Sequence, residues 1–309
     1  MSGDDIGAIV ELVVAVAVSY GLAYWVFRAT RDRSALVGLY LLFGIPGVLL
    51  LVMGAAFAVN GHERWWVAIA VGIGLCLPLI PAFRRFYASW TPMDDRSPVD
   101  MAGLCVVLAV AGFFFVYSLL SIEPDNANND ISLVALVVQS AIEIAFAYIL
   151  VGWMITRNFR QATARLGLVR PNLKLIGIAL GMVMVALIVS AIAALATNAF
   201  QGDLSNEVTQ ANQEITSGFQ TIPGAILFGL GSGAGEEFLF RGAIQPKFGL
   251  LTSSILFALL HTQDQISFVL VGIFALGVML GLERKYLGTT ASFMTHAAFN
   301  TLVVLASRG

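Results

Sequence analysis

The sequence predicts an all-α fold, a polytopic transmembrane helical bundle of about ten membrane segments. Three observations lead there. Of 309 residues, 58% are hydrophobic and only 12% charged, against the roughly 25% charged of an average soluble domain. The mean hydropathy is +0.86. Apolar runs long enough to cross a bilayer, about 20 residues each, recur along the whole length and leave no room for a soluble domain.

Taken in order, the expected spans are 6–27, 35–59, 65–83, 99–120, 131–155 and 175–195. A less regular set follows at 222–244, 250–261, 266–282 and 290–306. The segment ending at His261 is short for a full crossing, so a re-entrant, tilted or buried course is expected there. No internal repeat is found. No processing site of the Ala-x-Ala type follows the first span, which is therefore expected to be retained.

Lys and Arg accumulate in alternate loops, which assigns those loops to the cytoplasm. Arg28, Arg31 and Arg33 mark the first, Arg84 and Arg85 the second, Arg157 to Lys174 the third, then Lys247, then Arg284 with Lys285. The other loops are poor in them, and 123–130 (EPDNANND) and 201–217 are acidic. Both chain ends then lie outside. The net charge of -2 and the lack of a basic patch with interleaved aromatics argue against a nucleic-acid partner. Cys76 and Cys105 sit in apolar spans and form neither a disulfide framework nor a metal site by spacing. His62 reads as a solvated loop residue. Trp25, Trp65, Trp66, Trp90 and Trp153 fall near span ends and read as interfacial anchors.

An ionisable group at mid-bilayer costs at least about 2.5 kcal/mol, so each one asks for a role and a partner. Most lie in the last third: Glu236, Glu237 and Arg241 in the stretch 235–242 (GEEFLFRG), then His261, then His296 and Asn300. Residues four apart share a helix face. Glu237 can pair with Arg241, Glu236 points elsewhere, and His296 shares a face with Asn300, as Phe257 does with His261. Two histidines and a carboxylate can converge from three helices. Glu236, His261 and His296 offer ligands that suit a divalent metal, zinc foremost, with a position open for water. A structural ion-pair network is the other reading of the same set. Ahead of Glu236, Gly229 with Gly233 and Gly231 with Gly235 carry the spacing that lets membrane helices approach closely.

The three ordered blocks Glu236-Glu237-x-x-x-Arg241, Phe257-x-x-x-His261 and His296-x-x-x-Asn300 resemble the signature of the CPBP (Abi) family. These are the CAAX-processing and bacteriocin-processing intramembrane proteases, related to the Ras-converting CAAX endopeptidase. The likeness covers about 222–305, and 165–171 also resembles the short amphipathic lead-in of many members. It divides the chain into N-terminal helices without a motif, 1–174, and a catalytic membrane core, 175–309. It implies peptide-bond hydrolysis in the membrane, with Glu236 and His261 acting on a water or its metal. His296 and Asn300 would bind the metal or stabilise the oxyanion, and Glu237 with Arg241 would brace the site.

The implied substrate is a hydrophobic or prenylated protein C-terminus, or a leader peptide, and the implied setting is a prokaryotic cytoplasmic membrane with the site toward the cytoplasmic half. A non-proteolytic scaffold or peptide-binding immunity protein is the alternative within the family. Other membrane-protease motifs are missing: His62-Glu63 is not followed by a second His at the H-E-x-x-H spacing, and Ser232 lacks the flanks of G-x-S-x-G. Glu143, one turn after Gln139 in a central span, reads either as a hydrogen-bonded structural residue or as the lining of a substrate path.

Overall fold

The computed structural model describes residues 3–119 and 132–307. Thirteen helices follow one another: α1 (Gly3–Arg28), α2 (Arg33–Val59), α3 (Trp65–Cys76), α4 (Pro81–Ala88), α5 (Pro98–Leu119), α6 (Leu133–Leu150), α7 (Phe159–Arg165), α8 (Leu173–Phe200), α9 (Gly202–Thr216), α10 (Ile222–Glu236), α11 (Gln245–Leu259), α12 (Phe268–Leu287) and α13 (Thr289–Ala306). A π-helical segment, Glu237–Ile244, joins α10 to α11. No strand occurs among the described residues.

Local chemistry sets the helix starts. Asp32, Ser132, Asn172, Thr221 and Ser267 each turn a side-chain oxygen onto a backbone N–H of the first turn. These caps satisfy donors that have no partner within the helix. The breaks also have identifiable causes. Gly249 adopts φ 85°, a conformation open to glycine, and splits α11 near its start. Leu79 and Pro81 mark a bend of 86° between α3 and α4.

The sequence leads to an expectation of ten crossings, of which length and apolarity support a part. Among the described residues, α2, α5, α6 and α8 are long and apolar enough to cross a membrane, and the bent pair 65–88 brings the number to five if it is one span. The bend replaces the straight span expected over 65–83, and α6 stops at Leu150 rather than 155. The ten expected segments are otherwise helical, but those of the last third are shorter, broken or more polar. The acidic stretch 123–130 lies outside the described residues.

The N-terminal and C-terminal parts share one core. Tyr87, Met93, Leu104 and Val107 pack with Phe240, Ile244, Phe248, Leu256 and Phe257. Lys247 Nζ meets the buried Asp100 carboxylate at 2.9 Å, and the Tyr87 hydroxyl stands 2.6 Å from that of Thr252. At the end carrying the basic loops, Thr289 N donates to Gly167 O, and its hydroxyl donates to Leu166 O at 2.5 Å. These ties hold α10 to α13 in a fixed frame around the charged residues.

Candidate active site

The glycines ahead of Glu236 have two different partners. A Cβ on Gly229 would run into Ala297 O and the Thr301 hydroxyl, and one on Gly233 would press on Ala297, so this face of α10 lies against the α13 backbone. A Cβ on Gly231 would meet Ser140 and Leu136, and one on Gly235 would collide with the Glu143 carboxylate, so the other face lies against α6. The expected close packing is therefore present on both faces. It brings His296 of α13 and Glu143 of α6 beside the end of α10.

At that end the helix widens. Eight residues, Glu237–Ile244, form a π-helix, a geometry that frees backbone groups and recurs at functional sites. Two of its carbonyls also accept from side chains: Ser253 Oγ donates to Phe240 O at 2.9 Å, and Arg284 Nε to Arg241 O at 2.9 Å. Glu237 and Arg241 are fully buried. The expected pair forms, with Arg241 Nη1 3.5 Å from Glu237 Oε1. The guanidinium also lies over the Phe257 ring, 4.1 Å from its centroid, a contact worth about 2 kcal/mol once desolvated.

The same Glu237 Oε1 accepts a hydrogen bond from His296 Nδ1 at 2.9 Å. An ionised carboxylate can only accept, so Nδ1 carries the hydrogen and the ring is held with Nε2 outward. That nitrogen faces Glu236 Oε2 at 3.9 Å, an oxygen that is buried and has no hydrogen-bond partner. Glu236 thus points away from Arg241 toward another helix, as the 100° step between neighbours requires. His261 follows the end of α11, with Nδ1 on Phe257 O at 2.8 Å, which leaves its Nε2 as the free nitrogen by the same reasoning. Phe257 separates the two histidines, its ring 4.8 Å from His261 and 5.8 Å from His296.

Asn300 is oriented by a residue that sequence reasoning dismissed. The Ser232 hydroxyl donates to Phe228 O at 2.8 Å, so its oxygen accepts from Asn300 Nδ2 at 2.9 Å. Ser232 lies four residues before Glu236, and that spacing was the signal available for it. Sequence reasoning also missed Glu283, which reads as part of the charged flank with Arg284 and Lys285 but is buried and accepts from Thr295 Oγ1 at 2.9 Å.

Glu236, His261, His296 and Asn300 all line one cavity of about 540 Å³, within the usual range for small-molecule and peptide side-chain sites. Gln139 and Glu143 of α6 line it too, and α9 covers it with Val208, Asn212 and Thr216. Asn212 donates to Asp264 at 2.8 Å, which ties α9 to the loop after His261. The cavity runs from the charged residues toward the α9 end, away from the basic loops.

The expected metal set does not close into a cage. Glu236 and His296 are adjacent, but no group of three His, Cys, Asp or Glu residues among those described is placed to hold an ion. Since structural and catalytic zinc ions take at least three protein ligands, no step below is routed through a metal.

Residues 218–302 match the family model described as "Type II CAAX prenyl endopeptidase Rce1-like". Over 86 residues, 26% of this chain, the sequence is 35% identical to "Uncharacterized protein YpbD" of Bacillus subtilis (strain 168). The match spans 46% of that relative's length. No solved structure matches the chain. The π-segment, His261, His296 and Asn300 all fall inside the matched region, so the C-terminal part of this chain is similar to the Rce1-like family, consistent with the CPBP family that its three motif blocks resemble.

Proposed function

We propose that the chain is an integral membrane endopeptidase in which Glu236 activates a water against a peptide carbonyl. One observation carries this reading: Glu237 locks His296 so that its free nitrogen faces the unpartnered oxygen of Glu236 in the cavity. A water between Glu236 Oε2 and His296 Nε2 would give its proton to Glu236 as its oxygen bonds to the carbonyl carbon. The second N–H of the Asn300 amide, whose first is held by Ser232, stabilises the oxyanion, where one donor is worth about 3–4 kcal/mol. The proton on Glu236 then passes to the leaving nitrogen as the C–N bond breaks, and the water oxygen stays in the new carboxylate.

His261, across Phe257, faces the same space, and its free Nε2 accepts a hydrogen bond from the water. Arg241 keeps Glu237 ionised and so keeps the His296 ring in place. The finer reading is that α10 to α13 lie within the bilayer and the substrate is a hydrophobic membrane-associated peptide, a prenylated C-terminus or a leader. The family description, which names a CAAX prenyl endopeptidase, and the apolar surroundings support it. Cleavage of membrane peptides by the protein in proteoliposomes tests the reading. Glu236→Gln is expected to lower kcat at least about a hundredfold, since an amide of nearly the same shape takes no proton. A fully active Glu236→Gln protein would remove this residue from the mechanism.

A further inference from the structure

Glu143 lies on α6, outside the matched region 218–302, and the chemistry above makes no use of it. It is nevertheless a placed group. Its carboxylate sits where Gly235 has no side chain, and Gln139 Nε2, one turn earlier, donates to Oε1 at 3.2 Å. A glycine next to Glu236 thus makes room for a second carboxylate in the same cavity. Holding an acidic side chain against apolar helices is costly unless a partner of opposite charge arrives.

Among the described residues the cavity contains no such partner: its lining includes Glu143, Glu236 and Asp264 as acids and His261 and His296 as bases, but no Lys or Arg. Arg241 is sealed beneath Phe257 and does not reach it. Asp264 is engaged by Asn212, and Glu236 faces His296, whose nearly buried ring turns its one unbonded nitrogen into the same space. Glu143 is left with a neutral amide alone. A free C-terminal carboxylate would find no Lys or Arg to pair with here and three acids against it, whereas an ammonium or guanidinium would find a seated partner.

Resting on the endopeptidase reading, we infer that Glu143 is a specificity residue that receives a Lys or Arg side chain of the substrate beside the scissile bond. The substrate class is then a basic, membrane-inserted peptide cut internally, such as a leader, rather than a chain end recognised by its carboxylate. The bond is a charge-assisted pair at the edge of an apolar cavity, worth about 10- to 100-fold in kcat/KM over a neutral isostere.

The test uses the full-length protein in proteoliposomes and pairs of quenched fluorescent peptides that differ only in Lys, norleucine or Glu at one position near the cut. Wild type is expected to prefer Lys over norleucine by about 10- to 100-fold. Glu143→Asp should keep the preference, Glu143→Gln should abolish it, and Glu143→Lys should reverse it toward Glu. Equal cleavage of all peptides by wild type, or a Lys preference that survives in Glu143→Gln, overturns the inference and leaves the endopeptidase reading intact. Binding of the same peptides to Glu236→Gln protein, read by fluorescence anisotropy, separates the other case. Lys-selective binding that requires Glu143 without any cleavage by wild type would uphold the recognition role and sink the protease. No selectivity in binding would sink the recognition role.

Discussion

Helices α8 and α10 show two ways of building an apolar helix into this fold. α8 runs 28 residues without a break, and only 22% of its most apolar window is buried in the protein, so most of its surface faces outward. α10 has 15 residues, five of them glycine, and continues into a π-segment whose Glu237 and Arg241 are fully buried. The first kind is built for solvation by hydrocarbon, and any large apolar residue serves. The second is built for approach by neighbours, because the buried carboxylates at its end are met by groups from other helices. Tests of length and apolarity pick out α8 and pass over α10.

That contrast can be broken experimentally, and the largest effect on activity is the loss at Glu236→Gln. On stability the largest expected effect is at Arg241→Ala, which leaves the buried Glu237 without its cation and removes the contact with Phe257. With His296 Nδ1 still bonded to Glu237 but the guanidinium gone, thermal unfolding in detergent should show a loss of about 3–5 kcal/mol, together with lost cleavage; an unchanged melting profile would contradict the bracing role. Next comes Gly229→Leu, whose side chain would enter the Ala297 and Thr301 backbone and force α13 away. A cost of about 1–3 kcal/mol is expected, with activity falling more steeply than stability because His296 moves with α13. Retained full activity would show that the close approach is not needed.

The smallest effects are expected on the other side of the comparison. Leu180 of α8 is 60% exposed, and Leu180→Ala should change melting by no more than about 0.5 kcal/mol and leave cleavage as it is. A large loss there would mean that α8 faces a partner rather than lipid. Elemental mass spectrometry on purified protein sharpens the account of the site in the same way. With only Glu236 and His296 adjacent, zinc below one ion per chain is expected. Stoichiometric zinc that disappears in both His261→Ala and His296→Ala would restore the metal set read from the sequence and displace direct water activation.

Much of the site was legible in the letters because helical periodicity is local. The four-residue step pairs Glu237 with Arg241, sends Glu236 elsewhere and puts His296 and Asn300 on one face, and each of these appears in the structure. The membrane class follows from composition for the same reason, since each apolar run is read without knowledge of its neighbours. The count of crossings did not follow, because a bend of 86° at Leu79 and Pro81 and a break at Gly249 alter the course of a helix without altering its hydropathy.

What the sequence determined by itself is thus the helical membrane class, the ordered acid and base blocks and the glycine spacing beside them. Tertiary structure alone decided which groups meet: that Glu237 serves both Arg241 and His296, that Phe257 lies between the histidines, that Ser232 orients Asn300 and that Glu143 fills the space left by Gly235. The physical reason is range. Periodicity fixes where a side chain points around its own axis, but contacts between helices depend on how closely two backbones approach, and that is set by packing over the whole bundle.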